Sequence, residues 1–219
     1  MLLSDAKTRM ISRAAREITP GMLVNLGIGL PTKVVDHLPD DMETALHTEN
    51  GLLGIGPTMS ADAADRDLID AGGAYVSTVP GSAFFDSATS FAIVRSGRLD
   101  LTMLGAFEVA QNGDLANWKI PGKFSPGAGG GIELAQKAKR VIVLTTHTDR
   151  KGNPKLLEQC SLPLTARCCV SRIFTELAVI DVTEQGFRLI ERARDADLSM
   201  IIAATGAPLA LPKGDIPTF

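Results

Sequence analysis

An acidic residue between a predicted strand and a glycine turn is the first candidate for chemistry in this sequence. Glu49 follows a predicted strand at residues 44–47 and precedes Asn50 and Gly51. A carboxylate in such a place is available as a nucleophile or a general base. An arbitrary glutamate beside a glycine is more often a solvated loop acid or a helix cap, so position alone does not decide its role.

Three glycine-containing loops follow predicted strands, at residues 25–31, 47–57 and 117–131. Glycine lets backbone N–H groups approach a ligand closely. The first and third loops also run into predicted helix N-termini, which favour anions. Neither has the spacing of a dinucleotide-binding or Walker motif, so plain tight turns are the alternative interpretation.

The other nucleophile and metal-ligand candidates are weaker. His37 is predicted on a helix and His147 at a polar turn, where surface or capping roles are expected, while His47 is expected to pack or to orient the loop. Cys168 and Cys169 lie near a predicted helix start and are expected to be small buried hydrophobes. Three cysteines with this spacing give neither a disulfide framework nor a zinc site. No metal site is predicted.

Alternating strands and helices must position these loops. Strands are predicted at residues 22–26, 44–47, 75–79, 99–104 and 141–145, helices at 32–38, 84–95 and 132–138 and after an N-cap at Ser4, and a hairpin at 177–182 and 187–191. This order indicates the α/β class, with an open mixed, mainly parallel sheet and helices on both faces. No linker divides the chain, so residues 1–219 are expected to form one domain. Ligands bind such sheets beyond the carboxyl ends of strands.

Composition and charge exclude several classes of protein. Of the 219 residues 45% are apolar, which is enough for a sizeable core. The 22 basic and 25 acidic residues give a net charge of −3, which argues against a broad nucleic-acid-binding surface. The N-terminus lacks the apolar stretch of a signal peptide, and no run approaches the roughly 18 apolar residues that span a bilayer. We therefore expect a cytoplasmic protein with no membrane or nucleic-acid partner.

Six motifs, in order, resemble the β subunit of family I coenzyme A transferases, the 3-oxoacid group. Residues 47–57, HTENGLLGIGP, resemble the active-site signature of that family. The others are VNLGIGLP at 24–31, LTMLGA at 101–106, GDLANW at 113–118, IPGK at 120–123 and PLT at 163–165. The resemblance runs from about residue 5 to about residue 204. It implies a CoA-transferase-like α/β fold and an enzyme that moves coenzyme A between an acyl-CoA and a free carboxylate.

The resemblance also implies a mechanism. Glu49 would attack an acyl-CoA thioester to form an acyl-glutamyl anhydride, and the released thiolate would convert it to a glutamyl-CoA thioester. An incoming carboxylate would reverse these steps, which predicts ping-pong kinetics. Gly129, Gly130 and Gly131 would bind CoA or supply amide donors to the oxyanion, and Asn25 would contact CoA or the reacting carbonyl. No permanently bound cofactor is implied, because CoA is a substrate.

The anhydride must be protected from water, and Leu52, Leu53 and Phe124 are candidates for that role beside a plain core role. Two positions depart from the family pattern. Thr48 stands where the family usually has serine, and Ala128 stands in a glycine run that commonly carries methionine there. Both departures bear on acyl specificity more than on the type of reaction.

The resemblance covers only the β half of the family, so a separate α subunit is expected as partner, in a heterodimer or an α2β2 complex. Acyl-CoA and carboxylic acids are the expected small-molecule partners. The sequence does not identify which acyl group is transferred. Two alternatives remain at this point. One is an acyl-CoA hydrolase that uses the same Glu49, and the other is a ligand-sensing module of the same fold group.

Overall fold

A computed structural model describes residues 5–125 and 127–219, so the predicted N-cap Ser4 lies outside the described residues. The helices are α1 Asp5–Ala15, a 3-10 helix Pro31–His37, α2 Ser87–Arg95, α3 Gly131–Lys137 and α4 Leu198–Ala204. The first seven strands are β1 Leu23–Leu26, β2 Ala45–Thr48, β3 Leu52–Thr58, β4 Val76–Phe84, β5 Leu101–Leu104, β6 Glu108–Ala110 and β7 Leu115–Ala116. The remaining strands are β8 Val141–Leu144, β9 Leu156–Leu157, β10 Val170–Phe174, β11 Ala178–Thr183, β12 Gly186–Arg192 and β13 Leu209–Ala210.

Ten strands form one mixed sheet in the order β13-β12-β11-β10-β8-β5-β1-β2-β3-β4. The five central strands, β10, β8, β5, β1 and β2, are parallel to one another. Antiparallel strands flank them, with β3 and β4 on one side and β11 and β12 on the other. A smaller sheet has the order β7-β6-β9. The predicted mixed, mainly parallel sheet is confirmed.

The two faces of the large sheet carry two hydrophobic cores. Successive residues of a strand point to opposite faces, and in β8 Val141 and Val143 join one core while Ile142 and Leu144 join the other. Helices α2, α3 and α4 contribute to the first core, and α1 and the 3-10 helix contribute to the second. The prediction of helices on both faces is therefore confirmed.

Three expectations about local structure were wrong, wholly or in part. The predicted helix at residues 84–95 begins only at Ser87, because Asp86 is its N-cap and accepts the Thr89 N–H at 2.7 Å. Cys168 and Cys169 precede strand β10 rather than a helix. Part of the predicted loop at residues 47–57 is also regular structure, since β3 pairs there with β2 and β4.

Candidate active site

A cavity of about 580 Å³ opens where the central parallel strands end. Its walls come from the segments after β1 and β5, from Thr145 and Thr146 after β8, and from the glycine run at residues 127–131. Glu49, which follows β2, lines the same cavity. The carboxyl ends of neighbouring parallel strands are where open α/β sheets bind ligands, and the predicted loops meet at that edge.

Glu49 lies in the tight turn between β2 and β3. The turn is closed by the Gly51 N–H, which donates to Thr48 O at 3.0 Å, and Gly51 O accepts the Phe85 N–H at 2.9 Å. Gly51 has a φ of +112°, and a Cβ there would overlap Phe85 O. Only glycine fits this position without strain, so the glycine after Asn50 is required to present Glu49.

The residues on either side of Glu49 form hydrogen bonds with the loop at residues 69–71. Thr48 Oγ1 donates to Asn50 Oδ1 and accepts the Ala71 N–H at 3.0 Å. Asn50 Nδ2 donates to Ile69 O at 2.8 Å. Ala71 lines the cavity, so these bonds fix one of its walls. A hydroxyl is all that these contacts need, which explains why threonine can stand at residue 48.

The carboxylate of Glu49 is half-buried and lacks a cation partner within residues 5–125 and 127–219. Burial raises the pKa of Glu49 above the ordinary glutamate value. Gly130 lies against it, because a Cβ on Gly130 would overlap Glu49 Oε2 and would come within 2.9 Å of the Phe91 ring. A desolvated carboxylate without a counterion is well suited to act as a nucleophile.

The glycine run beside Glu49 leads into helix α3. Gly129 has a φ of +53°, and Gly130 precedes the helix with a φ of −75°. The Gly131 N–H donates to Ala128 O at 3.3 Å. In the part of the chain that the structure describes, no partner accepts the Gly130 N–H. The structure thus brings Glu49, Asn25 and these three glycines to one cavity.

A buried network of polar side chains connects Asn25 to β2, the strand that precedes Glu49. Asn25 Nδ2 contacts His47 Nδ1 and His47 O, each at 3.2 Å, and Asn25 Oδ1 accepts from Thr102 Oγ1 at 3.2 Å. His47 Nε2 lies 3.0 Å from Ser90 Oγ. Burial lowers the pKa of His47 to about 4, so the ring is neutral at pH 7 and can accept at Nδ1 and donate from Nε2. The expectation that His47 packs and orients the loop agrees with these contacts.

Comparison with known proteins identifies the family. The family model described as Coenzyme A transferase matches residues 7–195. The chain is 47% identical over 205 residues to the beta subunit of a probable coenzyme A transferase of Bacillus subtilis, with 94% of each chain covered. This chain belongs to the coenzyme A transferase family.

Two further similarities concern a second relative and a solved structure. The B subunit of a probable succinyl-CoA:3-ketoacid coenzyme A transferase of Bacillus subtilis is 44% identical over 211 residues, covering 96% of this chain and 98% of the relative. The acyl-CoA transferase YdiF of Escherichia coli O157:H7, solved as a thioester complex with CoA, has a TM-score of 0.73 and 23% identity. The match covers 96% of this chain and 42% of the Escherichia coli chain.

Some expectations about this coenzyme A transferase were wrong. His147 is completely buried instead of exposed, with its ring nitrogens 2.9 Å from Thr175 Oγ1 and 2.9 Å from Thr205 Oγ1. Phe124 is 93% exposed and does not line the cavity, so it cannot exclude water in this chain by itself. Leu52 has the plain core role that was the open alternative, since it is buried in the second hydrophobic core.

Two polar residues of the cavity, Lys155 and Thr145, carried no signal in the sequence. Trp118, the last residue of the GDLANW motif, also lines the cavity, and its indole N–H donates to Leu164 O at 3.2 Å. Within residues 5–125 and 127–219 the side chains form no group of three or more metal ligands. The same residues include no helix long and apolar enough to cross a membrane.

Proposed function

We propose that this chain is the catalytic β subunit of a coenzyme A transferase that works through a covalent intermediate on Glu49. The observation that carries the proposal is the half-buried Glu49 carboxylate, unpaired in the described residues and in contact with Gly130 inside the cavity. The Escherichia coli acyl-CoA transferase of similar fold was solved as a thioester complex with CoA, which supports covalent chemistry. Residues 1–219 act as one catalytic domain, because the large sheet takes strands from β1 to β13.

The reaction balances in two half-reactions. A Glu49 oxygen attacks the thioester carbonyl, the C–S bond breaks, and an acyl-glutamyl anhydride and CoA thiolate form. The thiolate attacks the glutamyl carbonyl, which gives a glutamyl-CoA thioester and releases the first carboxylate. An incoming carboxylate attacks that thioester, and the expelled thiolate then takes the new acyl group and restores Glu49. A series of easier steps thus replaces one difficult exchange.

Each tetrahedral intermediate develops an oxyanion that needs preorganised donors. The Gly130 N–H is the first candidate, because it has no acceptor among the described residues and its residue contacts Glu49. The Gly131 N–H is already in a long bond to Ala128 O, and Gly129 shapes the turn before it. The amide nitrogen of Asn25 bonds to His47 and its amide oxygen bonds to Thr102. Asn25 therefore stabilises the inner wall of the CoA site.

We infer that a separate α subunit completes the site. Both Bacillus subtilis relatives carry the name of one subunit of a larger enzyme, which supports this, as does the 42% coverage of the longer Escherichia coli enzyme. Ile28, which lines the cavity, is 60% exposed in this chain. A partner that covers the cavity would exclude water from the anhydride. The substrates are an acyl-CoA and a carboxylate, with 3-oxo acids as the class that the relatives suggest.

The test of this function is a glutamate-to-glutamine change at the nucleophile. Glu49→Gln should keep the fold and abolish CoA transfer in the complex reconstituted with the α subunit, because an amide cannot form the anhydride. Mixing the wild-type complex with acyl-CoA should leave CoA on the peptide that contains residue 49, as detected by mass spectrometry. The matched control is Glu43→Gln, which changes an exposed glutamate just before β2, the strand that precedes Glu49.

Three results would contradict the proposal. They are an adduct on another residue, full transfer by Glu49→Gln, and rapid transfer by this chain without its partner. CoA release that needs no acceptor carboxylate would instead identify a hydrolase with the same nucleophile.

A further inference from the structure

Helix α2 places the half-buried ring of Phe91 beside Gly130 and Glu49. A Cβ built on Gly130 would overlap Glu49 Oε2 and would also lie 2.9 Å from both Cε1 and Cζ of Phe91. The tip of the ring and the carboxylate oxygen thus border the same small space. An added methyl group does not fit there, as in other closely packed regions of proteins. Protein atoms therefore close the side of the carboxylate that faces Gly130.

Two hydrogen bonds and a ring contact attach the start of α2 to the turn between β2 and β3. The Phe85 N–H donates to Gly51 O at 2.9 Å. The Phe85 ring stacks on the His47 ring, with centroids 6.2 Å apart. One residue before Phe91, Ser90 Oγ lies 3.0 Å from His47 Nε2. These contacts hold Phe91 in a fixed position relative to the turn.

A cation covers the face of the Phe91 ring. Arg95, one turn further along α2, has its guanidinium carbon 5.7 Å from the ring centroid. Residues four apart share one face of a helix, and a cation is attracted to the face of an aromatic ring. Arg95 Nη2 also donates to Glu133 Oε1 at 2.7 Å, and Glu133 lies in the first turn of α3, just after Gly130. The Arg95–Glu133 ion pair thus connects α2 to α3 and keeps the ring against Gly130.

The Glu49 carboxylate depends on this packing. In the part of the chain that the structure describes, neither of its oxygens accepts a hydrogen bond or forms an ion pair. A glutamate side chain without such bonds samples several rotamers. A catalytic group that is misplaced by about 1 Å loses on the order of 100-fold in rate. Packing must therefore restrain Glu49, and Gly130 and Phe91 provide it on one side.

The same packing determines the acidity of the nucleophile. Burial, and no neighbouring charge of the described residues, raises the pKa of Glu49. Lys155, which lines the same cavity, donates to Thr145 Oγ1 at 3.0 Å. The His47 ring is neutral at pH 7, because burial lowers its pKa to about 4. The apolar ring of Phe91 adds to the burial of Glu49, so the pKa of Glu49 should respond to a change in the ring.

We propose that Phe91 is a positioning residue for Glu49, because its ring, held by the Arg95–Glu133 pair, confines the carboxylate to the orientation from which it attacks the thioester. This inference rests on the proposed function, since it takes Glu49 as the nucleophile. Phe91 is absent from the described wall of the cavity. It therefore acts through Glu49 and not on the substrate.

The test shortens the Phe91 side chain and follows kcat, KM and the pH profile of the reconstituted complex, with succinyl-CoA as donor and acetoacetate as acceptor. In Phe91→Ala the carboxylate gains room and water, so kcat should fall by up to about 100-fold. KM for succinyl-CoA should stay near its wild-type value, because no substrate contact is removed. Relief of desolvation lowers the pKa of a carboxylate. The acid limb of kcat/KM should therefore move to lower pH.

Two variants of similar volume separate the reach of the side chain from its bulk. Phe91→Met reaches as far as the tip of the ring and should recover much of kcat and the wild-type acid limb. Phe91→Leu lacks the tip, so it should change both quantities in the same direction as Phe91→Ala. Leucine and methionine replace each other in protein cores at little cost to folding. This pair therefore decides the question even if Phe91→Ala does not fold.

The matched control is Ile93→Ala, which shortens another half-buried side chain of α2. Residues two apart do not face each other on a helix. This variant should lower the urea midpoint and keep the wild-type kcat and acid limb. A loss of kcat in the Phe91 variants with the acid limb at its wild-type pH would overturn the proposal and would assign Phe91 a structural role. Wild-type kcat in folded Phe91→Ala or Phe91→Leu would also overturn it.

Mass detection of CoA on the residue 49 peptide, after wild type is mixed with succinyl-CoA, separates this proposal from the function on which it rests. If the adduct forms and the Phe91 variants match wild type, only the positioning proposal fails. If wild type carries no CoA on Glu49, the proposed function fails and the positioning proposal fails with it.

Discussion

Gly130 is the position where one added carbon tests the geometry of the site. In Gly130→Ala the new Cβ would overlap Glu49 Oε2 and would lie 2.9 Å from two carbons of the Phe91 ring. The carboxylate ends a flexible side chain, so it can rotate away at little cost to the fold. That rotation removes the nucleophile from its position. The backbone adds no strain, because a φ of −75° suits alanine.

Stability and activity should therefore respond differently in Gly130→Ala. A glycine-to-alanine change at a compatible φ stabilises a protein by about 0.4–1 kcal/mol through the unfolded chain. This gain offsets part of the crowding, so we expect the free energy of unfolding to change by at most about 1 kcal/mol. Misplacing a catalytic group by about 1 Å costs on the order of 100-fold in rate. We expect kcat to fall by that factor in Gly130→Ala and further in Gly130→Val.

The assay is steady-state CoA transfer by the reconstituted complex, with urea unfolding of each variant and mass detection of CoA on Glu49. Gly131→Ala is the comparison variant, because its Cβ would meet nothing closer than Asn117 Oδ1 at 3.8 Å. Its loss of activity should be much smaller. Wild-type kcat in a folded Gly130→Ala variant, or equal losses in the two variants, would refute the steric argument.

Two further predictions concern buried groups near Glu49. His47→Leu should lower the free energy of unfolding by about 1–3 kcal/mol for each buried polar group that loses its partner, namely one N–H of Asn25 Nδ2, whose other N–H keeps the backbone oxygen of residue 47, and Ser90 Oγ. An unchanged urea midpoint at pH 7 would contradict this. Because burial raises the pKa of Glu49 above 4.5, its nucleophilic carboxylate should be lost at a higher pH than in an ordinary glutamate as the solution is acidified. The acid limb of kcat/KM should therefore begin above pH 4.5, and a flat profile down to that pH would exclude the effect.

The alternation of apolar runs and turns was enough to predict four of the five central parallel strands, β1, β2, β5 and β8, because these strands are buried on both faces. Strand β10, Val170–Phe174, was missed since Ser171 and Arg172 interrupt its apolar pattern. Arg172 is tolerated there because its guanidinium pairs with Asp181 on the adjacent strand and with Glu17 from the segment after α1. A partner 155 residues away in the chain leaves no local signal. Strands of two or three residues, such as those of the small sheet, are too short to show a period.

In the site, too, some residues could be predicted from the local sequence, while others depend on long-range contacts. The position of Glu49 follows from a strand end and a glycine turn, and its assignment as a nucleophile follows from motif resemblance. Lys155 was missed and His147 was expected at the surface, because their burial depends on partners elsewhere in the chain. The hydroxyls that contact His147 are 28 and 58 residues away. The local sequence of a polar turn predicts exposure, because it does not show that distant segments pack over the residue in the folded chain.

The separation of Glu49 and Lys155 is itself a requirement of the proposed chemistry. Both side chains are half-buried, oppositely charged and part of one cavity wall. If they formed an ion pair, the ammonium would lower the pKa of the carboxylate and weaken its oxygen as a nucleophile. Strands β1 and β5 lie between β2 and β8, so the sheet order keeps the two groups apart.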